Sequence, residues 1–80
     1  MEVWIVTKEV YRDGGVSLFD ILGVYSLEGD AIDFMKFLFS QKMKQDRKGA
    51  SISYDEEKNL IESREPHQDI YIEMREYEVW

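Results

Sequence analysis

The chain has 80 residues, 44% of them apolar and 34% charged, with a net charge of −7 and no cysteine. A length of this order holds one hydrophobic core, so residues 1–80 are expected to form a single domain. Without thiols, disulfides and thiolate metal sites are excluded, and the reducing cytoplasm is the default compartment.

Residues 2–11, EVWIVTKEVY, are rich in Val, Ile, Trp and Tyr and read as a first strand. The opening Met1-Glu2-Val3-Trp4 is acidic and runs directly into that strand, unlike the basic, apolar start of a signal peptide. Arg12-Asp13-Gly14-Gly15 supplies a tight turn, because glycine accepts positive φ, and residues 17–25, SLFDILGVY, return as the second strand of a hairpin. Gly23 in that strand predicts a bend or a close backbone approach. A helix is expected to begin near Ser26 or Leu27, with the Ser26 hydroxyl as N-cap and Glu28 and Asp30 near the positive end of the helix dipole.

Residues placed every 100° from Ala31 gather Phe34, Leu38, Met35, Phe39, Ile32 and Met43 with it in one half-circle, opposite Lys36, Ser40, Asp33, Lys44 and Asp30. That is an amphipathic helix with one face for a sheet. Phe37 is the exception, falling on the polar side. Lys42, Lys44, Arg47 and Lys48 suit the negative end of the dipole, and Gly49 suits a stop. Residues 50–64 support two readings, of which the first is favoured. One is a hairpin, with strands at 51–54 and 60–63 and Asn59 in the left-handed region of the turn; the other is a short helix capped by Asp55 and ended before Pro66. Residues 69–79, DIYIEMREYEV, read as the last strand, with Ile70, Ile72 and Met74 on one face and Tyr71, Glu73, Arg75 and Tyr77 on the other. No apolar run approaches the ~20 residues that a membrane span requires.

The charge is unevenly spread. Residues 1–54 carry eight acids and seven bases, whereas residues 55–80 carry nine acids and three bases. Direct binding to a phosphate backbone needs clustered Lys and Arg, and the acidic balance of the chain speaks against it. An acidic second half suits a basic partner or serves solubility. Catalysis is poorly supplied: His67 is the single histidine, so any nucleophilic triad would rest on it. Glu65, His67 and Asp69 share one short loop without a distant fourth ligand, which is a weak metal pattern. Gly14-Gly15 lacks the Lys and Ser/Thr of a phosphate-binding loop.

The informative feature is a surplus of apolar side chains. Alternation puts Val3, Ile5 and Tyr11 on one face of the first strand and Trp4, Val6 and Val10 on the other. In its partner, Leu18, Leu22 and Val24 alternate with Phe19, Ile21 and Tyr25. A single helix covers one face of a sheet, and a solvated second face should be polar. Either residues 46–69 fold over that second face, or the hairpin is central, or the face meets another protein or a second copy.

The segment VWIVTKEVYRDG…ILGVYSLEGDA, with the matching residues Val3 to Val6, Gly23, Val24, Tyr25, Ser26, Glu28 and Ala31, resembles short, mostly uncharacterised phage and bacterial accessory proteins. Those proteins begin with a hairpin that runs through a Gly-Val-Tyr/Phe-Ser step into a helix. The resemblance spans about the first half of the chain and the pattern IYIEMREYEV, and Gly29 stands where such proteins often carry another acid. It implies a small cytoplasmic accessory protein and carries over no catalytic residue.

The expectation is a two-layer α+β domain of order ββαβββ, a mainly antiparallel sheet of four or five strands with one long helix on one face. Its expected role is an acidic, non-catalytic protein-binding module, without cofactor or metal, acting as a phage-encoded inhibitor of a host or defence protein. Trp4, Tyr25, Tyr71 and Tyr77 are the expected aromatic anchors, Glu73, Glu76 and Glu78 the charged rim, and Phe37 a second, smaller candidate. Two rival readings remain open. One is a protein that sequesters a small ligand or nucleotide in a pocket between protomers; the other is an acidic DNA mimic acting through residues 55–78.

Overall fold

The computed structural model describes residues 1–13, 15–45 and 51–79. Their order is β1 (Glu2–Arg12), β2 (Gly15–Tyr25), α1 (Glu28–Lys44), β3 (Ser51–Asp55), β4 (Leu60–Glu65) and β5 (Gln68–Glu78). The strands form one antiparallel sheet in the order β2-β1-β5-β4-β3. The α+β expectation is met, and residues 51–65 take the hairpin form.

Two turns are set by residues that tolerate the left-handed region. Asn59 has φ 51° before β4, as its amide side chain allows, and Asp13 has φ 51° after β1. Asp55 organises the β3–β4 turn further, its carboxylate accepting from the backbone N–H groups of Glu57 (3.0 Å) and Lys58 (3.1 Å). Gly14 and Gly49, to which a turn and a helix stop were assigned, lie outside the described residues, as do Arg47 and Lys48.

α1 joins the two edges of the sheet, since β2 precedes it and β3 follows. Its 17 residues rise about 25 Å at 1.5 Å each, while five strands span about 19 Å. One straight helix can therefore cross from edge to edge. Ala31 and Met35 are fully buried, and Ile32, Phe34, Leu38 and Phe39 pack around the core of Val6, Val10, Ile61, Ile70, Ile72 and Met74. Met43, at the end of the apolar arc, is exposed because the helix has by then passed the core. The N-cap is Leu27, in extended conformation, and no side-chain bond caps the helix; Ser26 stands one residue too early.

β1 and β5 alternate as the sequence suggests. Val6 pairs with Met74, Lys8 with Ile72 and Val10 with Ile70 beneath the helix, while Thr7 with Glu73 and Glu9 with Tyr71 face away from it. β2 does not alternate simply. Val6 pairs with Gly23 but Thr7 with Ile21, so Leu22 is an extra residue, and Ser17 is skipped in the same way between Val10 and Tyr11. Each such bulge inverts the phase of the residues beyond it. Leu18, Gly23 and Tyr25 therefore share the helix side, and Phe19, Ile21 and Val24 the open side, in place of the grouping that plain alternation gives.

Gly23 is fixed by its neighbour. A Cβ there would come 2.8 Å from the Tyr25 ring, which leans on Phe34 with centroids 5.5 Å apart. The Gly-Val-Tyr-Ser joint is thus explained by packing. Gly23→Ala should dislodge that ring and cost about 1–3 kcal/mol, as overpacking does, read as a lower urea midpoint with reduced near-UV dichroism. Met35→Ala should cost about 3 kcal/mol by opening a cavity, whereas Met43→Ala, on the same helix, should stay within about 0.5 kcal/mol of wild type.

Candidate functional site: the open face of the sheet

Among the described residues, no element covers the sheet face opposite α1. Residues 51–65 extend the sheet sideways instead of folding over it. The register lays this face out in rows. Val3 stands beside Tyr77; Val24, Ile5 and Arg75 form the next row; then come Ile21, Thr7, Glu73 and Leu60; then Phe19, Glu9, Tyr71 and Glu62; and finally Tyr11, Asp69 and Arg64. Apolar side chains collect on the β2 flank. Acids and tyrosines occupy the centre.

That centre is an open trough of about 700 Å³ between β1, β5 and the β4–β5 turn. Tyr11 and Tyr71 meet edge to face across it, with centroids 5.5 Å apart. The Tyr11 hydroxyl donates to Glu9 Oε2 at 2.5 Å, and this bond, followed by partial desolvation and the Glu9 charge, holds the phenol above its ordinary pKa. Arg75 Nε donates to Glu73 Oε1 at 2.6 Å, which raises the guanidinium further and fixes the arginine over the strand. At the far end, Arg12 Nε donates to Gln68 Oε1 at 2.9 Å, and Gln68 Nε2 to Glu65 Oε2 at 2.8 Å, tying the end of β1 to the β4–β5 turn. These bonds orient Glu9, Glu65 and Glu73, and the open face as a whole is negative, with Glu9, Glu62, Asp69 and Glu73 against Arg64 and Arg75.

His67 is exposed in the β4–β5 turn and borders the trough. No three carboxylate or imidazole groups among the described residues are placed to hold one metal ion, so Glu65, His67 and Asp69 do not form a donor set.

The eight residues singled out from the sequence do not make one surface. Tyr71, Glu73 and Tyr77 lie on the open face. Trp4 and Tyr25 pair with each other on the helix side, where they are partly buried against the core. Their place follows from Val6, which shares their face and is completely buried. Glu76 and Glu78, opposite Trp4 and Glu2, belong to the helix side too, where β5 runs on as exposed strand. Phe37 is exposed but stacked on Phe34, with centroids 6.5 Å apart and planes at 15°. Sequence reasoning missed Glu9, Phe19 and Ile21 as parts of the open face. Glu9 was legible from its alternation with Val10; Phe19 and Ile21 were hidden by the bulge at Leu22.

No protein-family model matches this chain, and searches of curated proteins and of solved structures return no significant similarity. Among the described residues, no helix is long and apolar enough to cross a membrane.

A second acidic group lies away from the trough, beside the start of α1. Glu2, through carboxyl–carboxyl hydrogen bonding first and then its charge, raises the carboxyl pKa of its neighbour Glu76, with smaller contributions from partial desolvation and the charges of Glu28 and Glu78. The folded chain therefore holds this proton more tightly than the unfolded chain does. Stability should fall as pH rises from the ordinary carboxylate range through the raised value, and the penalty then persists to neutrality. Glu76→Gln, which keeps a donor for Glu2, should melt higher than wild type at pH 7, and the gap should close at about pH 3.5, below the ordinary carboxylate pKa. Thermal melts of the two proteins at both pH values check this.

Proposed function

We propose that this protein is a small, acidic, non-catalytic binding module that takes a basic protein surface on the open face of its sheet. The observation that carries this reading is the trough itself. Half-buried Tyr11 and Tyr71 stand among carboxylates already oriented by Arg75 and Gln68, on a face that no described residue covers. Tyrosine presents a large, stiff contact area with a polar tip, and oriented carboxylates suit Lys and Arg side chains. Electrostatic attraction would then set the approach and the rate of encounter, and the aromatic contacts the lifetime of the complex.

Its resemblance to short phage and bacterial accessory proteins supports a role in the cytoplasm as an inhibitor that occupies a basic surface of a host or defence protein. The alternation of acids with Arg64 and Arg75 favours this aromatic-centred contact over imitation of a nucleic-acid backbone, which calls for an unbroken row of negative charge.

The test uses affinity capture from a cell lysate. Wild type should retain a basic protein that Tyr71→Ala/Tyr77→Ala loses, while Phe37→Ala, on the helix side, keeps it. Both substituted tyrosines stand outside the core, so circular dichroism should be unchanged. Capture that the double variant leaves intact would refute the site, and a complex that dissolves with a modest rise in salt would instead favour the charge-mimic reading.

A further inference from the structure

The two edges of the sheet are built differently. Natural edge strands are guarded by shortness, by Lys or Pro, or by polar side chains. β3 follows that rule: it has five residues, with Ser51, Ser53 and Asp55 exposed. β2 does not, although it carries two bulges. It runs for eleven residues, with neither Lys, Arg nor Pro and with Asp20 as its sole charge.

The exposed side chains of β2 lie on both sides of the sheet. Leu18 is 45% exposed on the helix side, and Phe19, Ile21 and Val24 are 55%, 60% and 58% exposed on the open side. A partner lying flat on either face would cover one set and leave the other in water. A strand laid along the edge covers both at once and also takes up the outward N–H and C=O groups.

We propose that this strand is supplied by a second copy of the chain, β2 pairing with β2 antiparallel about a two-fold axis perpendicular to the sheet. The second copy offers an edge of the same length and character, and such an axis keeps helix side with helix side, so that Leu18 and Phe19 each meet their own environment. The charge distribution permits it. The acids of β5 would be separated from those of the partner's β5 by five strand spacings, about 24 Å, well beyond the ~8 Å screening length at physiological salt. Stacking the open faces on one another would instead bring them to about 10 Å.

The axis is also confined. The regular stretch between the two bulges is Leu18–Ile21, and centring on Asp20 would set two carboxylates directly opposite. Of the other positions, Leu18 on the helix side and Phe19 and Ile21 on the open side can each be the residue that meets itself. This proposal is independent of the basic-partner reading, which concerns β1, β5 and the β4–β5 turn.

The absence of cysteine makes the test direct. Residues directly opposite in antiparallel strands have Cα atoms about 4.5–5.5 Å apart, within the range a disulfide bridges. Leu18→Cys, Phe19→Cys or Ile21→Cys, whichever residue lies on the axis, should therefore give a disulfide-linked dimer within minutes of adding copper phenanthroline, while Ser53→Cys, on β3, stays monomeric. In sedimentation, wild type should shift from 9.5 kDa toward twice that mass as concentration rises, whereas Phe19→Lys/Ile21→Lys remains at 9.5 kDa with unchanged circular dichroism. A pair of strands is a small interface, so the series extends to about 500 μM. Wild type that stays monomeric throughout, or cross-linking no faster at residues 18, 19 and 21 than at 53, overturns the proposal. So does a dimer that Tyr71→Ala dissolves and the lysine pair does not. Capture of a basic protein by the lysine pair separates failure here from failure of the binding-face reading.

Discussion

The pairing of the first strand with the last is the constraint on which the rest of the structure depends. β1 and β5 run together for ten consecutive residue pairs, from Glu2 with Glu78 to Tyr11 with Asp69. Without it the chain would be a lone hairpin and a separate small meander, and an isolated two-stranded hairpin is marginal in water. Five of the eight buried apolar residues among those described lie on these two strands. Each such side chain is worth roughly 1.5–3 kcal/mol when taken out of water, so this one ladder holds a large part of the driving force for folding. Its register also decides which face is which. Once Val6 lies beside Met74 and Val10 beside Ile70, α1 has one place to settle, and Glu9, Tyr11, Tyr71 and Glu73 must turn outward.

Covering follows from reach. A helix of this length spans the sheet once, and the five-residue β3 that follows adds an edge instead of a second layer. The core is accordingly thin. Phe34, Phe39, Tyr25 and Tyr54 surround it in two aromatic contacts, Tyr25 with Phe34 and Phe39 with Tyr54, each with centroids 5.5 Å apart. Large rings at the margin shelter a small core more effectively than aliphatic side chains of the same number, because each buries more area. Of the apolar residues needed neither by the core nor by its margin, Leu18, Phe19, Ile21 and Val24 collect on β2, the strand farthest from β3.

Element order, strand and helix positions and the buried stripe of α1 were legible because each rests on a local period. The hairpin at 51–65 was legible from Asn59. What could not be read was phase. β1 is apolar on both faces at Val3, Trp4, Ile5 and Val6, and polar on both at Thr7 and Lys8, so alternation separates its residues but does not say which set the helix covers. That choice is made by β5, sixty or more residues away. Trp4 consequently went to the wrong side of the sheet relative to Tyr71. The bulge at Leu22 is a second obstacle of the same kind, since nothing in ILGVY marks an inserted residue until Val6 and Thr7 are seen to pair with Gly23 and Ile21. The capping of α1 failed for a different reason: a favourable N-cap residue signals that a helix is near, but Leu27, one residue later, is where the backbone turns.

The two surfaces left over are segregated, and that segregation gives them compatible uses. The trough is charged and central, while the β2 edge is almost uncharged and peripheral. Joining two chains along β2 would leave both troughs on the same side of one continuous ten-stranded sheet, with their β5 strands about 24 Å apart. A partner presenting two basic patches at that spacing would meet both at once, the second at an effective concentration set by the first. Weak individual contacts, which is what a shallow face of tyrosines and half-neutralised carboxylates offers, would then suffice for tight binding. An edge buried in this way also removes the part of the molecule most prone to uncontrolled strand addition, so the same eleven residues that make the chain vulnerable alone would make it selective as a pair.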